Sequence, residues 1–266
     1  MAAPYEISPK NLSRLIGTPT CPVIIDVSID ADVAQDPFLI PTAQRHPHTD
    51  IASIADRLRG TECVIVCQKG LKLSQGFASR LRGHGIAAQV LEGGNYGWRA
   101  MADAPRVAID TLAASSLWVT RHRPKINRIA CPWFIRRFIN PEAEFLFVAP
   151  DAVAGLAEKY GATAFDSADA PFGHRGDLCT FGALLDHFDL RAAPLDRLSH
   201  IVRAADTGRA GDSPQAAGLL AVSLGLSRMH KDDHSQLDAA MPVYEALYRW
   251  ARDAQAETHA SFGDAP

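Results

Sequence analysis

Short apolar runs alternate with helical patterns through the first hundred residues of the chain. The run at 62–67 is apolar without alternation, which is typical of a strand buried on both faces. Strands that alternate with helices favour a parallel sheet covered by helices, so an α/β domain is predicted here. The predicted strands are 21–28, 62–67 and 87–94, and the predicted helices are 51–58 and 73–85.

The pattern changes after Ala104-Pro105. A moderate helix or linker at 106–116 leads into a strongly basic stretch that ends at residue 137, and helical periodicity dominates the remainder of the chain. The sequence predicts a mainly α (α+β) second domain, with domains at residues 1–108 and 115–255. The further predicted elements are a strand at 142–150 and helices at about 151–160, 181–188, 194–205, 215–229 and 232–254.

Composition and charge narrow the class of protein. Hydrophobic residues make up 47% and charged residues 21% of the chain, as in ordinary globular proteins, and the net charge of −3 gives no global signature of nucleic-acid binding. No apolar run approaches the length of a membrane helix, and the N-terminal stretch MAAPYEISPKNL lacks the core of a secretory signal. A cytoplasmic protein without a membrane partner is therefore expected, and nucleic acid is an unlikely partner.

The five cysteines are odd in number and scattered, and no CxxC pair occurs among them. This argues against a disulfide framework and against a structural zinc ribbon. Any cysteine chemistry is expected to come from single thiols in particular settings.

The segment around Cys67 carries the strongest chemical signal. A predicted strand ends at Cys67, a short loop contains Lys69, Gly70 and Lys72, and a predicted helix follows. The loop amides and the positive end of the helix dipole favour an anionic sulfur, and the two lysines favour an anionic substrate. Gly70 is expected to adopt a positive φ so that the loop can curl.

The alternative is that Cys67 is a buried strand cysteine followed by an ordinary turn. Cys63 lies four residues earlier on the same face of the strand, where a core position is expected more than a resolving thiol. The chemical interpretation requires that solvent reach the Cys67 thiol and that the loop turn its amides, not its carbonyls, inward.

The sequence CQKGLKLSQGFASRLRGHGI…VLEGGNYGWRA resembles the active loop, following helix and last strand of rhodanese-type sulfurtransferase domains. IIDVS and LIPTA resemble the first core strand and a turn of that family, and the likeness covers roughly residues 20–102. It implies that Cys67 is the nucleophile that carries a persulfide, whereas Asp26 and Trp98 are structural. The implied substrate-binding loop consists of Gln68, Lys69, Gly70, Leu71, Lys72 and Leu73.

Two positions depart from the rhodanese pattern. Ser28 stands where an arginine is usual, and the loop serine position is Leu73, with Ser74 one residue later. Both departures are expected to alter the preference for a sulfur donor or the rate, without removing the nucleophile.

The basic stretch in the second half predicts an anion-binding face. Cys131-Pro132 suits a helix start, where an anion is favoured, and guanidinium groups bind oxyanions in a bidentate manner. Arg128, Cys131 and Arg136 are the candidate anion-binding residues. The alternative, which the sequence supports equally, is that Arg136 and Arg137 lie on a solvated face of the helix.

Histidines and carboxylates from distant segments form a candidate metal site, for which His174 and Asp206 are the better ligands. His230 and His234 are spaced to share one helix face. The alternative for the second pair is a helix cap from Asp232 or Asp233 beside surface residues. The sequence assigns no cofactor beyond a candidate metal ion in this domain.

RPKINRIACPWFIRRFINPEAEFLFV, GHRGDLCTF, RAADTGR and AAGLLAVSLGLSR resemble the C-terminal domain of ChrB-type chromate-resistance proteins, over roughly residues 116–250. The combined hypothesis is a sulfurtransferase linked to chromate resistance, which takes sulfur from a thiosulfate-like anion and passes it to a thiol. The alternatives are a sensor of chromate or another oxyanion, in which the rhodanese-like domain only binds, and a metal-dependent detoxification protein.

Overall fold

A computed structural model describes residues 5–113 and 115–257 of the chain. The described residues divide into two compact units. The first comprises residues 5–113, 134–143 and 188–190, and the second comprises residues 115–133, 144–187 and 191–257. The predicted domain boundaries at 108 and 115 remain predictions.

The strands are β1 (Glu6–Ile7), β2 (Val23–Asp26), β3 (Phe38–Leu39), β4 (Gln44–Arg45), β5 (Glu62–Val66), β6 (Ala87–Leu91), β7 (Val107–Ala108), β8 (Leu117–Arg121), β9 (Glu144–Val148) and β10 (Thr163–Ala164). The helices are α1 (Pro9–Leu15), α2 (Asp30–Gln35), α3 (Ala52–Ala55), α4 (Lys72–Gly83), α5 (Gly94–Arg99), α6 (Asn127–Phe134), α7 (Val153–Tyr160), α8 (Thr180–His187), α9 (Ala193–Asp206), α10 (Pro214–Met229) and α11 (Asp233–Asp253). Among these described helices, none combines the length and the apolar character that crossing a bilayer requires.

The first unit is built on a parallel sheet in the order β1-β6-β5-β2-β4. Strand β5 is central, and its apolar residues are buried as the unbroken hydrophobic run predicts. Helix α4 covers the sheet with Ser74, Phe77, Ala78 and Leu81, which lie on one face at helical spacing. The predicted parallel sheet with helical cover is confirmed.

The second unit is mainly helical, as predicted, and contains a three-stranded parallel sheet in the order β10-β8-β9. Trp118 on the central strand β8 packs edge-on against Phe165, which also meets Phe145 edge-on. Strand β8 was not predicted from the sequence. Its buried run is short and is followed at once by arginines, so only the basic charge of this segment was recognised.

The predicted helix start at Cys131-Pro132 is wrong. Helix α6 begins at Asn127, so Cys131 and Pro132 lie inside it, and a π-helical segment follows at Ile135–Ile139. Proline has no N–H group and therefore breaks the pattern of helical hydrogen bonds. The π-helical turn that follows is one of the ways in which a helix continues past such a break. The Cys131 thiol is fully buried, and burial raises its pKa well above the ordinary value, so it is no contact for a dissolved anion.

The predicted sharing of a helix face by His230 and His234 is also wrong. His230 is the C-cap residue that follows α10, whereas His234 lies in α11 and packs edge-on against Phe147. The alternative is confirmed, since the Asp232 carboxylate caps α11 by accepting a hydrogen bond of 2.7 Å from the Ser235 amide.

Candidate functional site

Cys67 directly follows the central strand β5, where the chain turns toward helix α4. Its Sγ lies 3.2 Å from the hydroxyl of Ser74, which is itself buried and also reaches the Leu71 carbonyl oxygen at 3.2 Å. The sulfur therefore has a hydroxyl neighbour although the serine is displaced by one residue from the family pattern. The first turn of α4 brings Ser74 back over the sulfur.

The carbonyl groups at the start of the loop are engaged by other backbone groups. The Cys67 carbonyl accepts hydrogen bonds from the Asn95 and Gly70 amides at 3.0 and 3.4 Å, and the Gln68 carbonyl accepts one from the Tyr96 amide at 3.0 Å. Within the described parts of the chain, the amides of 68, 69, 71 and 72 have no carbonyl partner. The loop thus offers unpaired donors at the start of a helix, the arrangement that favours an anion.

Two glycines permit this contact between the loop and the start of α5. Gly70 and Gly94 both have positive φ, at 67° and 59°. A Cβ on Gly70 would lie 2.6 Å from the Gly94 nitrogen, so only glycine fits at the closest approach of the two segments. The predicted positive φ at Gly70 is confirmed.

Asp26 and Asn95 brace the same region from the side of the sheet. The buried Asp26 carboxylate accepts hydrogen bonds from the Ser28 amide at 2.7 Å and from the Asn95 side-chain amide at 2.9 Å. Trp98 is buried, and its indole donates to the Pro105 carbonyl at 2.9 Å. Asn95 was missed by the sequence reasoning, because its role depends on a strand that lies far away in the chain.

A cavity of about 370 Å³ opens beside the cysteine. Cys67 is only 4% exposed, so this cavity is its route to solvent. Every predicted loop residue except Gly70 lines it, together with Asp32 from α2. The lining residues are Asp32, Cys67, Gln68, Lys69, Leu71, Lys72 and Leu73.

A second polar cluster lies in the other unit, centred on the buried carboxylate of Asp166. The Thr180 hydroxyl donates to Asp166 at 2.6 Å, and guanidinium nitrogens of Arg121 and Arg128 each lie 3.3 Å from its other oxygen. Arg121 also donates to the Asp166 backbone carbonyl at 3.0 Å. Both arginines therefore serve first to balance a buried negative charge.

His174 and Asp206 meet at the edge of this cluster. Nε2 of His174 lies 3.1 Å from the Asp206 carboxylate, 3.3 Å from the Asn127 side-chain amide and 3.9 Å from Asp166. Burial and the neighbouring Asp166 charge raise the pKa of Asp206 above its ordinary value, although His174 and Arg128 act in the opposite direction. The two predicted ligands are thus brought together.

A metal ion would need further donors at this point. In residues 5–113 and 115–257, no group of three or more His, Cys, Asp and Glu side chains is placed to hold one. Asp166, the nearest additional carboxylate, is engaged by the two arginines. The metal site at His174 and Asp206 remains a prediction without structural support.

Arg128 and Arg136, both predicted to bind anions, belong to different units. Arg128 is largely buried, and burial together with the nearby charge of Arg121 lowers its pKa. Its Nε makes no hydrogen bond to any described residue, although the Asp166 carboxylate lies 3.3 Å away. Arg136 donates to the Ala143 carbonyl at 3.1 Å and lines a separate cavity of about 210 Å³ with Arg137 and Cys21.

Asp166 was missed by the sequence reasoning, yet a signal for it exists. Strands β8 and β10 are parallel neighbours, and Arg121 ends the first while Asp166 follows the second. Side chains at the carboxyl ends of adjacent parallel strands meet at one edge of a sheet. The signal became usable only once β8 was known to be a strand.

Three solved structures are similar to the N-terminal part of the chain. A rhodanese-like domain protein from Staphylococcus aureus is 28% identical, with a TM-score of 0.31 over 35% of this chain and 89% of that one. SSP1007 from Staphylococcus saprophyticus is 26% identical, with a TM-score of 0.30 over 34% of this chain and 87% of that one. Thiosulfate sulfurtransferase from Pseudomonas aeruginosa is 25% identical, with a TM-score of 0.32 over 38% of this chain and 19% of that one.

The second half is assigned by its sequence. The family model of the ChrB C-terminal domain matches residues 118–251, and the chain belongs to this family. Protein ChrB of Cupriavidus metallidurans is 34% identical over 137 residues, which make up 49% of this chain and 39% of that protein. The chain thus matches less than half the length of that relative, and the predicted resemblance over residues 116–250 is confirmed.

Proposed function

We propose that the protein is a rhodanese-type sulfurtransferase in which Cys67 carries the transferred sulfur. The observation that carries this proposal is the loop itself. Four of its backbone amides lack a carbonyl partner within the described residues, and the carbonyls of 67 and 68 are held by the start of α5. Unpaired amides beside a sulfur favour its anionic form, whether thiolate or persulfide.

The reaction has two half-reactions. The Cys67 thiolate attacks the outer sulfur of a donor such as thiosulfate, whose S–S bond breaks with release of sulfite, and Cys67 becomes a persulfide. An acceptor thiolate then attacks the outer sulfur of that persulfide, which restores the Cys67 thiolate and yields the acceptor persulfide. Lys69 and Lys72, which line the cavity, supply positive charge for the anionic donor.

Intact-mass measurement after incubation with thiosulfate tests the first half-reaction. We expect the wild type to gain one sulfur atom, about +32 Da, that a thiol removes. Cys67→Ser should gain nothing. Cys63→Ser is the matched control, because Cys63 is a buried cysteine on β5, the strand that leads into Cys67, and lies outside the cavity lining.

Access to the sulfur is the second requirement, since Cys67 is 4% exposed. A small alkylating reagent should modify Cys67 in the folded protein, and prior incubation with thiosulfate should slow that modification. Absence of any sulfur transfer from several donors, together with a Cys67 thiol inert to a small reagent, would contradict the proposal and leave the structural alternative for this cysteine.

A second candidate function is oxyanion binding in the ChrB-type unit, and this rests on one observation. Within the described residues the buried Nε of Arg128 makes no hydrogen bond, although the Asp166 carboxylate lies 3.3 Å away, and a second guanidinium, that of Arg121, is near. A tetrahedral dianion such as chromate or sulfate would accept a hydrogen bond from this Nε in competition with the Asp166 carboxylate. Oxyanion binding fits the link of ChrB-type proteins to chromate resistance. In this second proposal the protein is a sensor of the oxyanion.

Calorimetry with chromate, sulfate and thiosulfate on the whole chain separates the two functions. Oxyanion binding in the second unit predicts heat with chromate that is retained in Cys67→Ser and lost in Arg128→Met. Arg80→Met is the control, since Arg80 lies exposed on α4. Chromate binding that Arg128→Met leaves unchanged would eliminate the oxyanion site.

A further inference from the structure

The cavity beside Cys67 contains a carboxylate in addition to its two lysines. Asp32 projects from helix α2 into the lining that it shares with Lys69 and Lys72. A site for a compact dianion gains nothing from a negative group, because like charges repel at short range. The Asp32 carboxylate therefore favours a substrate that also carries a positively charged group.

Asp32 differs from the other acidic residues of its helix. Asp30 pairs with Arg45 at 2.7 Å, and Asp36, just after the helix, pairs with Arg106 at 2.8 Å. In the part of the chain that the structure describes, no side chain or backbone donor binds the Asp32 carboxylate. Asp32 thus presents to the cavity a carboxylate that forms no ion pair or hydrogen bond within the described residues.

The volume of the cavity also favours a substrate larger than thiosulfate. Its volume is about 370 Å³, within the range of roughly 300–1,000 Å³ that small-molecule sites occupy. Thiosulfate has five heavy atoms, and even if each took the roughly 30 Å³ that one water molecule occupies in the liquid, they would fill less than half of this space. Leu71 is 54% exposed and Leu73 lies beside it, so part of the remaining wall suits a carbon skeleton.

We propose that the sulfur donor of this site is the persulfide of an amino-acid thiol, a molecule with an ammonium, a carboxylate and a terminal sulfane sulfur. Asp32 receives the ammonium, Lys69 and Lys72 receive the carboxylate, and the outer sulfur faces Cys67. The Cys67 thiolate attacks that outer sulfur, the S–S bond of the donor breaks, and the departing thiolate takes a proton to leave as the free thiol. This assignment rests on the proposed sulfur transfer by Cys67 and names its substrate class.

Three donors that differ by one charged group test the assignment. Cysteine persulfide has both groups, 3-mercaptopropionate persulfide lacks the ammonium, and cysteamine persulfide lacks the carboxylate. In the wild type we expect kcat/KM for cysteine persulfide to exceed that for the donor without the ammonium by about tenfold or more, the effect of one charge-assisted hydrogen bond. Asp32→Asn should remove this preference and raise kcat/KM for thiosulfate.

Asp30→Asn is the matched control, because Asp30 lies on the same helix outside the cavity lining. It should leave all the ratios unchanged. Equal kcat/KM for cysteine and 3-mercaptopropionate persulfides in the wild type, or a preference that survives in Asp32→Asn, would overturn the assignment of Asp32 while leaving sulfur transfer intact. Loss of transfer from every donor in the wild type would instead remove the proposed function itself.

Discussion

Gly70 and Gly94 pack back to back, so that a Cβ on Gly94 would lie 2.3 Å from the Gly70 nitrogen and 2.0 Å from the Cys67 carbonyl oxygen. The turn that opens α5 and the cysteine loop therefore fix each other's position. Gly70 and Gly94 lie more than twenty residues apart in the sequence, yet they form a single contact. The cysteine loop depends on it.

Gly94→Ala should displace the loop and abolish or strongly reduce sulfur transfer. The left-handed backbone and the clash together should lower the free energy of unfolding by about 2–4 kcal/mol. Urea denaturation and the persulfide mass measurement check the two effects. Gly76→Ala is the control: Gly76 lies in α4, and a Cβ added there would meet no atom within 4 Å, so this change should stabilise the protein by up to about 1 kcal/mol.

Ser74→Ala should slow sulfur transfer without unfolding the protein. The variant loses the hydroxyl that lies 3.2 Å from the Cys67 sulfur, and a hydrogen bond of about 0.5–1.5 kcal/mol corresponds to a rate loss of about two- to tenfold. Single-turnover formation of the persulfide is the measurement. Ser79→Ala, an exposed change on the same helix, should have the wild-type rate. Equal rates for both variants would mean that Ser74 serves only the fold.

The raised pKa of Asp206 predicts a particular pH dependence of stability. Its pKa lies above 3.8 in the folded protein, so the folded state holds this proton more tightly than the unfolded state. The resulting contribution to the free energy of unfolding is fully present below the pKa that Asp206 has in the unfolded state. It is lost as the pH rises through the pKa that Asp206 has in the folded state.

The difference in unfolding free energy between wild type and Asp206→Asn, measured in urea across this pH window, should therefore shift in favour of the variant as the pH rises. Asp169→Asn is the comparison, because Asp169 is exposed on a loop. A pH-independent difference for Asp206→Asn would show that the raised pKa has no thermodynamic consequence.

The other cysteines should be slow to react in the folded protein. Burial raises the pKa of Cys21, Cys63 and Cys179 to about 11 and that of Cys131 well above its ordinary value. At pH 8 a thiol of pKa about 11 is only about 0.1% thiolate. Iodoacetamide followed by peptide mapping should label Cys67 first, and equally fast labelling of Cys63 or Cys179 would contradict this expectation.

The cysteine loop illustrates what the sequence alone determined. The apolar run before Cys67, the glycine at 70 and the helical spacing from 73 onward are local patterns, and local patterns specify strands, turns and helices. They predicted β5, the positive φ of Gly70 and helix α4. The family motifs indicated a ChrB-type domain over roughly residues 116–250, which the family model confirms over residues 118–251.

Only the tertiary structure decided which distant residues meet. Asp166 joins Arg121 because two parallel strands end side by side. Asp32 lines the Cys67 cavity although it belongs to α2, a separate segment of the chain. Cys131 illustrates the same limit, since its Cys-Pro pair resembles a helix start until the packing of α6 places it in the interior. Contacts between segments far apart in the chain depend on packing and burial, which no local pattern of residues encodes.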